Sequence, residues 1–263
     1  MPGLATPTHA IVRPPAACYA QCLRHDPRPI DVTLAQTQHR GYVAALRDAG
    51  ITVEILAEID HPDAVFVEDT AVQLGDRALV TLPGATARHG EIDSIAAVLT
   101  RRVAVTRMHE PGRLDGGDVL RCGDTLVVGR SRRTNEAGVA QLAALAREVG
   151  LAVVGVEVKD GLHLKSACSL ADEHTLLVHA GCLDERALAR LELELVVVPE
   201  AAGANVLAFG DRVLVSDAAP RTAELLAARG LNPVGLALSE IHAGDGALSC
   251  MSLRFAARDA WCV

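Results

Sequence analysis

Two residues of this sequence are of the types that carry out covalent catalysis. Cys250 lies in the segment LSCMSL and His163 lies in DGLHLKS. A thiol needs help to ionise and a leaving group needs a proton, so a cysteine beside a histidine makes a nucleophile with an acid–base partner. Taken singly, Cys250 would be an inert buried residue and His163 a surface residue. Their places in an internal repeat favour the catalytic interpretation.

Acidic residues supply a second chemical feature. Glu68 and Asp69 directly follow the apolar residues 65–67, and Asp115 and Asp118 lie in LDGGD, whose two glycines permit close approach of the backbone to a ligand. Carboxylates that leave a buried strand are costly unless a cation or donors meet them. A planar guanidinium meets them well, because its N–H groups bond two carboxylates in a fixed fork. The same acids with one histidine could instead bind a hard divalent metal, although the cysteine would then have no role.

An internal repeat organises the chain. Segments that begin at Gly75, Gly123, Asp172 and Gly210 share a turn dipeptide, a short apolar run, a loop and an amphipathic stretch of helical period. Each is preceded by another apolar run and followed by a further strand candidate, so the unit is ββαβ. A module this small cannot cover its own apolar face, and several must therefore share a core.

The two ends of the sequence supply the parts of one further module. Residues 1–60 contain a strand, a helix and a strand, and the segment GALSCMSLRF near the other end supplies the missing hairpin strand. Joining them closes a ring. We therefore expect an α/β fold with one catalytic domain, 1–263, of five modules at about 61–110, 111–158, 159–200, 201–238 and, from both ends, 239–263 with 1–60.

Closure of the ring has a chemical consequence. The first strands of all modules would converge on one axis, so residues at equivalent positions would meet although they are far apart in the sequence. These positions hold mostly polar groups in place of the valine, leucine or alanine expected of a core strand. They are Glu68, Asp69, Asp115, Asp118, His163, Lys165, Asn205, Ser249 and Cys250.

Composition excludes several classes of partner. The chain has 263 residues, of which half are hydrophobic, and a formal net charge of -8 with no run rich in Lys and Arg. Nucleic acid or an anionic membrane would require a concentrated basic patch, so a cationic small molecule fits better. No stretch reaches the ~18–20 apolar residues of a membrane span, and a cytoplasmic protein is expected. The seven cysteines are irregularly spaced, which predicts free thiols.

The motifs FVED, LDGGD, SRRTN, DGLHLKS, AGANV and GALSCMSLRF, in this order, resemble those of the dimethylarginine dimethylaminohydrolases. The resemblance runs from about Thr8 to Phe255. That family belongs to the guanidino-group modifying superfamily, the penteins, and this implies a five-bladed β/α-propeller with pseudo-fivefold symmetry.

The resemblance also implies roles for individual residues. Cys250 would be the nucleophile, His163 the general acid and then base, and Asp115 the residue that orients His163. The other implied contacts are with substrate: Glu68 and Asp69 at the guanidinium; Asp63, Arg88 and Arg133 at the amino-acid end; Leu23 in a loop resembling the mobile lid of the family; and the backbone near Gly244, where glycine replaces a larger apolar residue and would loosen the contact.

The implied reaction is hydrolysis of asymmetric dimethylarginine or monomethylarginine to citrulline and an alkylamine, through a covalent thiouronium on Cys250. No cofactor or metal is required, although zinc could bind Cys250 and His163 as an inhibitor. Resemblance to bacterial members points to a homodimer. Two alternatives stay open: an arginine deiminase-like hydrolase, which would carry an aspartate where this chain has Lys165, and a catalytically silent propeller that binds a protein.

Overall fold

Short strands and helices alternate along residues 7–256, the part of the chain that the computed structural model describes. Cys262 and the rest of the tail after Ala256 lie outside it. The strands are β1 (His9–Val12), β2 (Thr52–Ile55), β3 (Ala71–Leu74), β4 (Arg77–Val80), β5 (Ala104–Arg107), β6 (Val119–Cys122), β7 (Thr125–Arg130), β8 (Ala152–Glu157), β9 (Cys168–Leu170), β10 (Thr175–Val178), β11 (Glu194–Val197), β12 (Leu207–Phe209), β13 (Arg212–Ser216), β14 (Asn232–Leu236) and β15 (Ser252–Phe255).

The α-helices differ widely in length. They are α1 (Val32–Asp48), α2 (Ile92–Thr100), α3 (Glu136–Glu148), α4 (Leu164–Ala167), α5 (Glu185–Leu188), α6 (Pro220–Ala228) and α7 (Ser239–Ala243). Within the described residues, no helix is both long enough and apolar enough to cross a membrane.

The described strands form five three-stranded sheets of one design. In each sheet two strands pair as an antiparallel hairpin, and the second strand then pairs in parallel with a third, after a helix. The sheets are β3–β4–β5, β6–β7–β8, β9–β10–β11, β12–β13–β14 and β15–β1–β2. In the last of these, His9 lies opposite Phe255, so a strand from each end of the described chain forms the hairpin pair, as the sequence predicts.

The helices between the second and third strands end in a recurring way. After α3, Gly150 has a φ of +76°, a left-handed conformation that costs glycine little. The amide of Leu151 then donates to the carbonyl of Ala146, which closes the helix end and turns the chain back into β8. The same exchange follows α1 and α6, where Gly50 and Gly230 occupy the equivalent position.

Five clusters of buried apolar side chains lie between neighbouring sheets. Side chains alternate in direction along a strand, so successive residues of each middle strand join different clusters. The clusters connect the sheets in a closed cycle. They pair Leu79 with Leu126, Val127 with Leu176, Leu177 with Val213, Leu214 with Val12, and Ile11 with Val80.

Candidate active site

A single turn of helix stands before the first strand of every sheet, and these five turns, with the residues next to their ends, carry the polar residues that were predicted to converge. They are Val67–Thr70, Gly116–Asp118, α4, Ala201–Ala204 and Ser249–Met251. We expected the polar residues on the first strands themselves, and that placement is wrong by one turn. A strand position would leave these side chains between two sheets, whereas the turns let backbone and side chains of adjacent modules bond directly.

Hydrogen bonds join the five turns into a closed ring. Each turn contacts the next through a side chain that meets either a backbone group or another side chain. Around the ring, Gly117 N donates to Asp69 Oδ1 (2.9 Å), Leu164 N to Asp118 Oδ1 (2.8 Å), Asn205 Nδ2 to Lys165 O (2.7 Å) and to Ser249 Oγ (2.9 Å), and Ser249 Oγ to Glu68 Oε2 (2.8 Å). The structure therefore brings these predicted positions together through hydrogen bonds between neighbouring turns.

His163 and Asp115 form the central polar pair of the ring. Nε2 of His163 lies 2.9 Å from Oδ2 of Asp115, and both residues are buried. The other oxygen of Asp115 accepts from the backbone amide of Gly84 at 2.7 Å. With both oxygens engaged, the carboxylate is fixed, and it fixes the imidazole in turn.

The glycines of LDGGD are needed to pack this pair. A Cβ at Gly117 would lie 2.7 Å from Nδ1 of His163 and 2.8 Å from Oδ1 of Asp69, and a Cβ at Gly116 would lie 2.0 Å from the carbonyl oxygen of Glu68. Only glycine fits at either place. The close approach that we expected toward a ligand is here made toward the protein's own side chains and backbone.

The charge of His163 is set by the acids around it. Burial alone would lower the pKa of the imidazole, but Asp69, the hydrogen-bonded Asp115, and Asp118 together raise the pKa to about 9. His163 is therefore an imidazolium at neutral pH. In this form both ring nitrogens carry protons, of which Nε2–H is directed at Asp115.

Cys250 has the opposite resting state. Its residue surface is only partly buried. Burial of the thiol, with the negative charges of Glu68 and Asp69, raises its pKa to about 12, and Lys165 opposes this rise. The sulfur is protonated at neutral pH. A positive charge placed beside the sulfur would lower its pKa and favour the thiolate.

The two neighbouring acids of the first turn are already engaged. Oε1 of Glu68 accepts from Lys165 Nζ at 2.6 Å and from Arg254 Nη2 at 3.0 Å. Asp69 accepts from Arg88 Nη1 at 2.5 Å, and Arg88 with His163 lowers the pKa of this carboxyl to about 2, against the effect of burial. Both acids are therefore balanced by cations of the chain itself.

Arg88 is buried and its guanidinium is bonded on all sides. It donates to Glu91 through Nε and Nη2, to Asp69 through Nη1, and to the carbonyls of Asp63 and Phe66 through Nη2. Arg133 is more open: its side chain is 19% exposed, and its Nη1 lies 3.7 Å from Asp115. Of the two predicted arginines, Arg133 is the one with free surface toward a ligand.

One cluster of the described residues has the spacing of a metal site. Asp69, Asp115 and His163 each offer one ligand atom, and these atoms lie within 4.8 Å of one another. Arg88, Gly117 and Gly84 already occupy oxygens of the two carboxylates. A metal would also have to displace the proton of an imidazolium that these acids favour, so the arrangement suits a charged histidine better than a cation.

Comparison with known proteins identifies the family. Residues 7–256 match the family model described as RESC5, RNA-editing substrate-binding complex 5 protein. Over 250 residues the chain is 41% identical to an N(G),N(G)-dimethylarginine dimethylaminohydrolase of Streptomyces coelicolor, and the match covers 93% of this chain and 96% of the relative. The chain belongs to the dimethylarginine dimethylaminohydrolase family. It also belongs to the group of sequences that the family model describes.

A second relative supports this membership in sequence and in structure. The dimethylarginine dimethylaminohydrolase of Pseudomonas aeruginosa is 32% identical over 252 residues, with 94% of this chain and 99% of the relative covered. A cysteine-to-serine mutant of the Pseudomonas aeruginosa protein, solved in complex with citrulline, superposes with a TM-score of 0.90 at 30% identity, over 95% of this chain and 100% of that one. The resemblance inferred from the motifs is confirmed.

The glycine that departs from the family pattern has a local cause. A Cβ at Gly244 would lie 2.4 Å from the hydroxyl of Tyr19, 3.0 Å from its ring carbon Cζ and 3.1 Å from Sγ of Cys22. The buried ring of Tyr19, which also packs edge-on against Phe66, occupies this space. A larger residue at position 244 would therefore clash with Tyr19, whereas the expected contact of this backbone with a substrate stays a prediction.

Two carboxylates bond the backbone of the loop that contains Leu23. The backbone amide of Leu23 donates to both oxygens of Asp63, at 3.1 and 3.2 Å, and the amide of His25 donates to Asp245 at 2.5 Å. Burial raises the pKa of Asp63, and Arg88 opposes the rise. Asp63, predicted to meet substrate, therefore also holds the loop that resembles the family lid.

Sequence reasoning missed two residues that shape this site and assigned a third, Asp118, to different contacts. Arg254 pairs with Glu68, and Glu91 pairs with Arg88. Asp118 was taken as an acid that could face a ligand, but its oxygens accept from Leu164 N, Ser131 Oγ and Thr134 Oγ1. The signal for Glu91 was its spacing of three residues from Arg88, whereas Arg254 stands in a strand-like run that gave no such signal.

Proposed function

We propose that this member of the family hydrolyses N-ω-methylated arginine to citrulline and an alkylamine, with Cys250 as the nucleophile. The observation that carries the proposal is the buried His163 imidazolium bonded to Asp115, in a hydrogen-bonded ring that also contains the turn of Cys250. A protonated histidine, a cysteine and acids are the set that substitution at a guanidinium carbon requires.

The first step is ionisation of the thiol. A guanidinium beside Cys250 opposes the negative field of Glu68 and Asp69, which lowers the pKa of the thiol from about 12. The thiol proton passes to solvent water. The thiolate then adds to the guanidinium carbon, whose C–N π bond opens as the C–S bond forms. Binding of the substrate thus favours ionisation of Cys250, whereas the thiol of the resting protein stays protonated and unreactive.

The second step is departure of the amine. His163 gives its proton to the leaving nitrogen, the C–N bond breaks, and an S-alkylthiouronium remains on Cys250. The now neutral imidazole takes a proton from water, which attacks the same carbon. The C–S bond breaks and citrulline leaves. The proton of the added hydroxyl restores the thiol, and the proton taken from water restores the imidazolium.

The amino-acid end of the substrate would be held between Asp63, Arg133, Arg88 and the backbone near Gly244 and Leu23. The more exposed guanidinium of Arg133 suits a direct grip on the α-carboxylate. Arg88 would act beside it, through its bond to the carbonyl of Asp63. Asp63 can exchange its bond to the Leu23 amide for one to the α-amino group, which would couple entry of substrate to movement of the loop.

The cations on Glu68 favour a methylated substrate over arginine. Lys165 and Arg254 neutralise this acid from the strand side, so fewer unpaired acceptors face the N–H groups of an unmethylated guanidinium. Asp69 remains as the principal guanidinium carboxylate, with Glu68 as the second. A deiminase-like activity would need an added carboxylate where Lys165 stands.

We propose further that the five sheets form a five-bladed β/α-propeller within one catalytic domain. The cyclic order of the core clusters and the closed ring of turns support this arrangement. A cytoplasmic location is supported by the six cysteines of residues 7–256, all of which are free thiols. The net charge of -8 favours a cationic small molecule over nucleic acid, and the homodimer stays a prediction.

A substrate panel tests the proposal. Purified protein is incubated with asymmetric dimethylarginine, monomethylarginine and arginine, and citrulline and released amine are measured. We expect turnover of the methylated substrates, loss of activity in Cys250→Ser, and retention in Cys122→Ser, a partly buried cysteine outside the ring. Turnover of arginine alone would support the deiminase alternative, and turnover of none would support a binding module.

A further inference from the structure

A cavity of about 520 Å³ lies on the strand side of the hydrogen-bonded ring. Every sheet contributes to it through its first strand, with residues such as Val72, Leu120, Leu170, Leu207 and Leu253. Neither the thiol of the site nor its histidine lines this cavity. Its volume lies within the ~300–1,000 Å³ that is usual for small-molecule sites.

The cavity ends on charged residues that are shared with the ring. Lys165, Arg254, Glu68 and Ser249 all line it. Two cations converge there on one carboxylate, which leaves one net positive charge at the closed end. The side chains of Lys165, Arg254 and Glu68 are 10%, 17% and 5% exposed, so water screens this charge poorly.

The remaining surface of the cavity falls into two parts. The walls are mainly valine, leucine and alanine of the first strands, with Gln73 and Ser169 among them. Arg121, Asp172 and Glu173 also line the cavity, but they are exposed or partly exposed, and their charges count for little. A fitting ligand therefore has an apolar body and one buried anionic group.

We propose that this cavity binds a small monocarboxylate with an apolar body, whose carboxylate meets Lys165 and Arg254 and whose hydrocarbon contacts the first strands. A lysine ammonium carries three N–H donors, and Glu68 accepts one of them. A carboxylate can take another without removing the existing bond. The guanidinium substrate of the catalytic site is excluded, because its charge matches that of the closed end.

A ligand in the cavity would change the pKa of the Cys250 thiol. Lys165 is the cation that opposes the rise in the pKa of Cys250, and an anion beside Lys165 cancels part of that effect. Fewer molecules then carry a thiolate at a given pH. This consequence rests on the proposed function and predicts a lower kcat for methylarginine with little change in KM, whereas binding itself does not depend on that function.

Calorimetric titration of the full-length protein with octanoate tests the site. We expect saturable binding of one octanoate per chain, with 1-octanol and octylamine at least about tenfold weaker, since one charge-assisted bond is worth at least that factor. Equal binding of the three probes, or binding of none, would overturn the proposal. The comparison of these three probes uses the wild-type protein and does not depend on the folding of a variant.

A matched pair of variants locates the binding. Ala208→Phe places a ring in the cavity from β12, whereas Ala104→Phe makes the same change at an exposed position of β5. We expect octanoate binding to be lost only in Ala208→Phe. Unchanged binding in that variant would show that octanoate sits elsewhere. Thermal melting of both variants checks folding, and if Ala208→Phe does not fold, the probe series decides.

Activity measurements separate the two proposals. Octanoate that binds and lowers kcat without raising KM supports both the site and its coupling. Octanoate that binds to a protein with no turnover of any methylarginine supports the cavity site while the proposed function fails. Inhibition that raises KM alone would place octanoate in the catalytic pocket and overturn the cavity site.

Discussion

Oδ2 of Asp115 accepts the Nε2 proton of His163 at 2.9 Å, and its Oδ1 accepts the amide of Gly84, so one buried carboxylate joins three modules of the fold. This bond stabilises the charged form of the imidazole and fixes the orientation of its ring. Asp115→Asn retains the shape but removes the charge, so kcat should fall about 10²- to 10⁴-fold, the usual contribution of general acid–base catalysis. Steady-state kinetics measure this, with Asp124→Asn on an exposed turn as the control. A variant with wild-type kcat would contradict the assigned role.

The ionisation of His163 should set the alkaline limit of activity. Its pKa of about 9 means that the imidazolium, the form that donates a proton, is lost above that pH. We expect kcat/KM, which reports the free protein, to fall with a midpoint near pH 9 in wild type, and at lower pH in Asp115→Asn, where one of the stabilising acids is gone. A profile that is flat between pH 8 and 10 in both proteins would be inconsistent with this assignment.

The same shift predicts a dependence of stability on pH. The folded protein holds the proton of His163 more tightly than the unfolded chain, whose histidine has a pKa of about 6.5. The resulting stabilisation is fully present below pH 6.5 and is lost as the pH rises through about 9. Between pH 6 and 10 the melting temperature of wild type should fall more steeply than that of His163→Gln. Parallel curves would exclude the linkage.

The raised pKa of Cys250 predicts slow alkylation of the resting protein. The thiolate fraction should keep growing up to pH 10, because the pKa of the thiol lies near 12. Peptide mass spectrometry after iodoacetamide treatment follows this residue separately from the other cysteines. We expect the rate at Cys250 to rise throughout pH 7–10. A plateau near pH 7 would mean a thiolate that is already formed in the free protein.

Gly244 should not tolerate even one added methyl group. Gly244→Ala forces a Cβ against Tyr19, and we expect a loss of about 1–3 kcal/mol, seen as a melting temperature lower by several degrees. The cost should shrink in a Tyr19→Phe background, which removes the nearest atom. Gly41→Ala, in open space on α1, is the matched control and should be neutral or stabilising by up to about 1 kcal/mol. Equal melting temperatures for Gly244→Ala and wild type would refute the contact.

Much of the architecture could be predicted because the same pattern of apolar runs, turns and helical stretches recurs along the sequence. A hairpin, a helix and a parallel strand recur, and the pairing of His9 with Phe255 follows from the incomplete modules at the two ends. The single helical turns could not be predicted, since three or four residues are too few to show a period. The polar residues of the site were found by position, yet their exact element was missed.

The bonds between those residues were harder to foresee. Arg254 alternates with apolar neighbours in SLRF, a pattern that indicates an exposed strand position, and its partner Glu68 is far away in the sequence. Arg88 and Glu91 have the spacing of a helix-surface pair but are both buried, because Asp69 adds a second carboxylate to the guanidinium. Charge balance in a closed site depends on such long-range pairs, which a sequence does not reveal.

The pairing of β1 with β15 also fixes when the protein can become active. Cys250 lies just before β15, so during synthesis the proposed nucleophile and the strand that pairs with β1 are made after every other strand of the described residues. Until then β1 has an open edge, and the acids of the ring lack the serine and arginine that meet Glu68. The proposed site therefore lacks its cysteine and two of the partners of Glu68 until the last strand of the described chain has been made.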